Sequence, residues 1–258
     1  MTENKKDFQK ELLNVSIYDS KEDMGKGAAA FVSEELQKAI HERGKANIVL
    51  ATGASQFTFL ESLKKHKEIE WDKVTAFHQD EYVGISEDHP ASFRKYLKDR
   101  ILNIVHPAKQ YLIEGDAKNL NEMMRKYEEL LKANPIDVIC LGIGENGHIA
   151  FNDPSVADFN DPYWVKIVKL DDKCRNQQVG EGWFKTMDEV PEEAVSLTIP
   201  AIMKCKAISC VVPDARKAIA VRDTLNDEIS TKCPATILKK HPNAKLFLDP
   251  TSSSKITG

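Results

Sequence analysis

Several features that would mark a special environment are missing from this chain. Its five cysteines are odd in number and unevenly spaced, and no two of them form a C-x-x-C pair. This argues against a zinc site, or any metal site, and favours reduced thiols in a cytosolic protein. The stretch MTENKKDFQK at residues 1–10 has no apolar core of a signal peptide, and no apolar run is long enough to cross a membrane. We therefore expect a cytoplasmic protein with no membrane partner.

An excess of positive charge is also missing. The net charge is -4 at pH 7 and the isoelectric point is about 6.0, whereas nucleic-acid-binding proteins usually present a basic face. Nucleic acid is therefore not expected as a partner. With 41% hydrophobic and 29% charged residues, the composition is that of a globule with a substantial core.

The most informative stretch is 136–154, IDVICLGIGENGHIAFNDP. Its first part is short and mostly apolar, which is typical of a strand buried on both faces of a parallel sheet. Three glycines follow, and then His148, Asn152 and Asp153. Open α/β sheets bind their ligands at the carboxyl ends of such strands, so this loop is a candidate site.

Two other interpretations of the same loop stay open. Gly142, Gly144 and Gly147 spell G-x-G-x-x-G, the dinucleotide fingerprint, but that motif needs a helix to start inside it. The residues that follow, HIAFNDP, read as extended or irregular. The loop could also be a simple glycine turn that carries a structural histidine.

A second candidate site follows the predicted strand at 47–51. The turn Thr52, Gly53, Ala54, Ser55 leads into a predicted helix at 57–65. The start of a helix offers free N–H groups and partial positive charge, and the hydroxyls of this turn add further donors, so the segment suits a phosphate. The alternative is that Ser55 only caps the helix.

Charged residues follow two other predicted strands. Asp80 and Glu81 come after the strand at 73–78, and we expect one of them to serve chemistry and the other structure. Lys217 follows the strand at 206–212 and lies in the first turn of a predicted helix, where a cation is unfavourable and a bound phosphate would compensate. A solvated acidic turn and a solvated surface lysine are the plain alternatives.

The polar stretch 171–184, which contains Arg175, is predicted to be a mobile lid over the site, with an ordinary surface connection as the alternative.

At least five strand–helix alternations predict an α/β fold with a mostly parallel open sheet. Neither a linker nor an internal repeat interrupts the sequence. We expect a single three-layer, Rossmann-like domain spanning residues 1–258, with helices on both faces of the sheet.

Five segments together resemble one family, the glucosamine-6-phosphate deaminases, also called isomerases. They are ATGAS at 51–55, HQDEYVGI at 78–85 with HP at 89–90, LGIGENGHIAFNDP at 141–154, DARKAIAV at 214–221 and CPATILKKHPN at 233–243. The resemblance spans almost the whole chain in order and spacing. The 6-phosphogluconolactonases share the fold and a related loop, but the DEY segment favours the deaminases.

The resemblance implies conversion of glucosamine 6-phosphate to fructose 6-phosphate and ammonia, with no metal or organic cofactor. It implies that Asp80 is the base that moves a proton between C2 and C1, and that His148 opens the sugar ring with the help of Asp153. It assigns the phosphate to Thr52, Gly53, Ala54, Ser55 and Lys217. Glu81, Gly147 and Arg175 are further expected substrate or lid residues. A homo-oligomer is compatible with the family.

The chain departs from the family pattern at several positions. Asn146, a further candidate catalytic residue, stands where Asp is frequent, and Asp153 stands where Glu is usual. Gln56 replaces a proline after the phosphate turn. The lid has only Arg175, where many deaminases have a second arginine shortly before the aromatic pair.

These departures keep three alternatives open. They are a galactosamine-6-phosphate deaminase, a 6-phosphogluconolactonase-like hydrolase and a sugar-phosphate sensor without catalysis.

Overall fold

The computed structural model describes residues 6–256. The expectations drawn from residues 1–10, and for a domain over 1–258, also include residues 1–5 and 257–258, which lie outside the described range. Strands in this range are β1 (Lys6–Lys10), β2 (Leu13–Ile17), β3 (Ala46–Leu50), β4 (Val74–His78), β5 (Asp80–Tyr82), β6 (Lys109–Tyr111), β7 (Val138–Leu141), β8 (Val165–Lys169), β9 (Glu193–Leu197), β10 (Ala207–Val212) and β11 (Ala244–Leu248). Helices are α1 (Lys21–Arg43), α2 (Phe57–Leu63), α3 (Phe93–Leu97), α4 (Asn103–Val105), α5 (Leu120–Ala133), α6 (Asp172–Gly180), α7 (Ile199–Met203) and α8 (Ala218–Asn226).

Eight strands form the large sheet, in the order β1-β2-β11-β10-β7-β3-β4-β6. Strand β1 pairs antiparallel with β2, and each of the other neighbouring pairs is parallel. This confirms the mostly parallel open sheet that the alternating strand and helix patterns predict. The order places β10, β7, β3 and β4 side by side, so their carboxyl ends meet at one stretch of the sheet edge.

Side chains of the central strands alternate between two cores. In β3, Ile48 and Leu50 enter one hydrophobic cluster with residues of α1 and α2, and Val49 enters the other with residues of α5 and α8. Because successive side chains of a strand point to opposite faces, an all-apolar strand needs helices on both. The three-layer arrangement follows from this.

Helix α1 shows how the local sequence sets an element's ends. The Ser20 hydroxyl accepts a hydrogen bond from the N–H of Asp23 at 3.0 Å, and Gly44 ends the helix with φ of 72°. Helix α3 begins at Phe93, after Pro90, because Ser92 supplies the cap. It continues through a π-helical turn, Lys98–Leu102, into α4.

A second sheet was not predicted. Strands β5, β9 and β8 pair antiparallel, with Asp80 opposite Ser196. The segment after β4, for which a solvated acidic turn was the alternative, is therefore a buried hydrogen-bonded strand, and this fixes the backbone at Asp80. The polar stretch after β8, predicted to be a loop-like lid, instead folds largely into α6, because Asp171 caps the N–H of Cys174 at 2.7 Å.

Among residues 6–256 the structure contains no helix with both the length and the apolar character needed to cross a bilayer.

Asp137 is a buried carboxylate at the amino ends of the central strands, and it connects several elements there. It pairs with Arg43 at the end of α1 and with Lys206 at 2.9 Å, and it accepts the N–H of Asn47 at 2.9 Å. We expect Asp137→Asn to lower the free energy of unfolding by about 1–3 kcal/mol, since it leaves buried donors without an acceptor.

Urea unfolding measures this effect. The control is Asp99→Asn, which breaks an exposed pair with Lys95 and should change stability by less than about 0.5 kcal/mol. Equal stability of the two variants would contradict the role of Asp137.

Candidate active site

A cleft lies where the carboxyl ends of β3, β4, β7 and β10 meet. Its walls leave about 680 Å³ between protein atoms, part of it open to solvent. Each strand contributes the turn that follows it: 52–55, 79–80, 142–148 and 213–217. All four segments carry residues predicted for phosphate binding or catalysis. The sheet order therefore brings together segments far apart in sequence.

The turn after β3 is compact. Gly53 has φ of 94°, and Ala54–Gln56 forms a single turn of 3₁₀ helix before α2. The side-chain amide of Gln56 donates to Ser55 Oγ at 3.0 Å and to the carbonyl of Leu141 at 3.3 Å. The residue that replaces the usual proline thus ties this turn to the end of β7. Thr52, Gly53, Ala54 and Ser55 all line the cleft, as expected.

Asp80 and Glu81 point to different surroundings. Asp80 lines the cleft, is 3% exposed, and its Oδ1 has no hydrogen-bond partner among the described residues. Burial raises the pKa of Asp80 well above its ordinary value, and the charge of Glu81 adds to the rise. A carboxylate with these properties is ready to accept a proton from a bound molecule.

Glu81 does not line the cleft, which corrects its expected role at the substrate. Its carboxylate accepts from Ser92 Oγ at 3.0 Å and from the N–H groups of Phe93 and Arg94 at 3.0 and 2.9 Å. Burial raises the pKa of Glu81, and these hydrogen bonds only partly offset it. The carboxylate therefore holds the start of α3 against β5. Of the two adjacent carboxylates, Glu81 is the one with the structural contacts.

His148 and Asp153 lie together. Nδ1 of His148 is 2.8 Å from Oδ1 of Asp153, within ion-pair distance but not aligned as a hydrogen bond. Burial acts to raise the pKa of Asp153, but contacts with His148, Asn146 and the N–H of Asp171 outweigh it, so the pKa lies below its ordinary value. His148 lines the cleft, and Asp153 lies behind it.

Asn146 supports this pair rather than touching the cleft. Its side-chain amide donates to Asp153 Oδ1 and Asp171 Oδ2, each at 3.0 Å, and its oxygen accepts the N–H of His148 at 3.1 Å. An aspartate here would place three carboxylates together without a proton between them. The amide donates to both neighbours instead, which accounts for Asn at this position.

Gly147 and Arg175 are not among the residues that line the cleft, and their expected substrate or lid roles stay predictions. Gly147 faces Cys233, whose Sγ would lie 2.5 Å from an added Cβ. Arg175 donates to the carbonyls of Met187 and Val190 at 2.9 and 3.0 Å, so it braces the loop after α6. The side of α6 that does line the cleft carries Gln177, Gln178 and then Glu181, which sequence reasoning did not single out.

Lys217 is a buried cation in the cleft. It is 5% exposed, and its Nζ has no hydrogen-bond partner among the described residues; Glu181 Oε1 lies 4.0 Å away. Burial lowers the pKa of Lys217, and the charges of Glu181 and Glu145 partly oppose this. A buried cation that faces a cleft without hydrogen bonds is a favourable site for an anion.

Two questions about cofactors can be judged from the geometry. The glycine loop after β7 turns into a short bridge between Ile149 and Asn152 and starts no helix, so it lacks the helix that a dinucleotide fingerprint needs.

Ligand atoms of His148, Asp153 and Cys174 lie within 4.8 Å of one another, as metal ligands do. Burial and nearby carboxylates raise the pKa of Cys174 well above its ordinary value, so its thiol keeps its proton.

The cleft therefore combines a His–Asp pair with a buried carboxyl group and a buried cation, each of which has an atom without a hydrogen-bond partner among residues 6–256. This is the equipment of an enzyme that moves protons on a small anionic molecule.

Comparison with known proteins agrees. A family model described as glucosamine-6-phosphate isomerases/6-phosphogluconolactonase matches residues 19–247. A glucosamine-6-phosphate deaminase from Thermoanaerobacter pseudethanolicus is 35% identical over 250 residues, 95% of each chain. Another, from Bacillus cereus, is 34% identical over 214 residues, 83% of this chain and 79% of that relative. The chain belongs to the glucosamine-6-phosphate isomerase/6-phosphogluconolactonase family.

Solved structures show the same fold. A monomeric glucosamine-6-phosphate deaminase superposes with a TM-score of 0.84 at 28% identity, covering 93% of this chain and 98% of that one. A 6-phosphogluconolactonase from Shewanella baltica gives a TM-score of 0.74 at 19% identity over 91% of this chain and 97% of that one. At that identity the second likeness shows the fold alone.

The adjacent carboxylates Asp80 and Glu81 should gain different amounts of stability on amide substitution. A raised pKa in the folded state means that ionised Asp80 lowers stability above its ordinary pKa of 3.8, increasingly as the pH rises. We expect Asp80→Asn to raise the melting temperature near pH 8 and to leave it nearly unchanged near pH 4.

Glu81→Gln should gain less. The pKa of Glu81 is also raised, so removing its charge favours the fold above the ordinary pKa of 4.5, but the amide cannot accept from Ser92, Phe93 and Arg94 together, which opposes the gain. Thermal and urea unfolding of both variants across this pH range would test the pair. A Glu81→Gln variant that is stabilised near pH 8 more than Asp80→Asn, or an Asp80→Asn variant that gains nothing at alkaline pH, would contradict the assigned environments.

Proposed function

We propose that this protein converts glucosamine 6-phosphate to fructose 6-phosphate and ammonia. The observation that carries the proposal is the placement of two buried groups in one cleft: Oδ1 of Asp80 and Nζ of Lys217 both lack a hydrogen-bond partner among the described residues. An amino sugar phosphate presents an acidic C–H and an anion at opposite ends, so it matches both. The deaminase relatives over 95% and 83% of the chain support the same substrate.

Ring opening is assigned to His148. The ring nitrogen that does not face Asp153 would take the proton of the anomeric hydroxyl and return it to the ring oxygen, which breaks the C1–O5 bond. The carboxylate of Asp153, 2.8 Å from Nδ1, stabilises the imidazolium that forms in between. Asn146 holds Asp153 in place and takes no proton itself.

Isomerisation is assigned to Asp80. Its carboxylate removes the proton from C2 of the open-chain aldehyde while the C1 oxygen gains a proton, which gives an enolamine. The same carboxyl group then delivers a proton to C1, and the resulting C2 imine is hydrolysed by water to the ketone and ammonia. The raised pKa of Asp80 suits this role, because the group must both accept and return a proton.

The phosphate is assigned to the turn Thr52, Gly53, Ala54, Ser55 and to Lys217. The turn offers two hydroxyl groups and main-chain N–H groups, and the cation lies across the cleft from it. Charge-assisted hydrogen bonds of this kind hold phosphate well in a partly dry site.

The remaining expectations are part of the proposal. The cleft draws residues from position 52 to position 217 of one chain, which supports one domain over 1–258 and a reaction that requires no second copy. One solved relative is described as monomeric. The five cysteines are all buried and free, which supports a cytoplasmic location.

Ammonia release from glucosamine 6-phosphate and galactosamine 6-phosphate, measured side by side, tests the proposal. We expect release with the gluco sugar and a loss of about 10²–10⁴-fold in kcat for Asp80→Asn. Hydrolysis of 6-phosphogluconolactone serves as a third arm. Turnover of the lactone with full activity in Asp80→Asn, and no ammonia from either amino sugar, would contradict the proposal.

Lys217→Met should raise KM for the sugar phosphate by roughly tenfold or more with a smaller change in kcat, because it removes the cation at the phosphate end. Glucosamine without its phosphate is the control substrate, and the substitution should affect it little. An equal loss on both substrates would move Lys217 away from the phosphate.

A further inference from the structure

The carboxylate of Glu181 lies at the phosphate end of the cleft. Its Oε1 is 4.0 Å from Lys217 Nζ, and its Oε2 would lie 4.0 Å from a Cβ added at Gly53. The side chain is 8% exposed. Glu181 therefore stands between the cation and the turn that are proposed to hold the phosphate.

Neighbouring side chains hold the carboxylate there. Gln177 Nε2 donates to Oε1 at 2.9 Å, and Trp183 Nε1 donates to Oε2 at 3.2 Å. The indole of Trp183 in turn packs edge-on against Phe57 and Tyr96, with ring centroids 6.4 and 5.9 Å apart. The position of Glu181 is thus built into the end of α6 and the residues that follow it.

A phosphate and this carboxylate are incompatible in the same place. A phosphate bound to Lys217 from the side of the turn would lie close to the Glu181 carboxylate, which is 4.0 Å from the same ammonium group, and two anions in a partly buried site repel each other strongly. Without phosphate, the same carboxylate is what offsets the buried charge of Lys217. The two anions therefore compete for one cation.

We propose that Glu181 is an internal competitor for the substrate's phosphate and thereby a specificity-determining residue. It compensates Lys217 while the cleft is free, and it swings out with the end of α6 when a sugar phosphate binds. Inorganic phosphate alone gains too few contacts to displace it, whereas a sugar phosphate gains further contacts along the cleft. This inference rests on the proposed function only for the location of the phosphate end at Lys217.

Titration calorimetry with inorganic phosphate tests the competition without any turnover. We expect weak binding to the unmodified protein and binding roughly tenfold tighter or more to Glu181→Gln, which keeps the shape and removes the charge. The control is Glu193→Gln, which removes an exposed charge from β9 and should bind phosphate as the unmodified protein does. The double variant Glu181→Gln, Lys217→Met should lose the gain.

Thermal unfolding gives a second readout. Glu181→Gln should melt at a lower temperature without phosphate, because Lys217 loses its counter-charge, and phosphate should raise its melting temperature more than that of the unmodified protein. Phosphate binding to Glu181→Gln that is equal to or weaker than that of the unmodified protein would overturn the inference.

The outcome separates the inference from the proposed function. Ammonia release together with unchanged phosphate affinity in Glu181→Gln would overturn the inference alone. Tighter phosphate binding in this variant, with no ammonia release from the unmodified protein, would overturn the proposed function alone. If no variant binds phosphate, the assignment of the phosphate to Lys217 is wrong, and the inference that depends on it is overturned as well.

Discussion

The carboxylate of Asp153 is the contact on which the arrangement of the cleft depends. It is fully buried, and it meets His148 and Asn146 on one oxygen and the N–H of Asp171 on the other. One side chain thus joins the loop after β7 to the residue that caps α6. The orientation of the histidine and the starting point of the lid are therefore set together. Its lowered pKa shows that the partners more than compensate the burial of its charge.

Two other buried groups in the cleft, Asp80 and Lys217, have few partners, in contrast to Asp153. Oδ1 of Asp80 and Nζ of Lys217 are buried polar atoms that have no hydrogen-bond partner within residues 6–256, and each such atom lowers the stability of the fold. Asp153 is fully compensated by the chain, whereas these two can be compensated by a ligand. The difference separates residues that shape the cleft from residues that act in it, and it fits a cleft that binds a molecule with a proton to lose and an anion to place.

Sequence reasoning located the cleft residues that follow the carboxyl ends of the strands. Asp80, His148, Ser55 and Lys217 each follow a buried apolar strand, and in a parallel sheet these positions meet whatever the intervening sequence. It placed the stretch 171–184 over the site but did not single out Glu181 and the two glutamines before it, because they carry no periodic or motif signal. The cap at Asp171 could have revealed the helix in that stretch. Arg175 was expected as a substrate or lid residue, and only tertiary contacts decide that its guanidinium turns to the carbonyls of Met187 and Val190.

The imidazole of His148 lies flat against the main chain at Gly144, where an added Cβ would be 2.2–2.4 Å from three ring atoms. One face of the ring is thus covered by backbone, and one nitrogen is turned to Asp153. The edge of the ring therefore points from the buried carboxylate to the cleft. A side chain at position 144 would displace the imidazole from this position, so Gly144 sets the orientation of the one aromatic base in the loop.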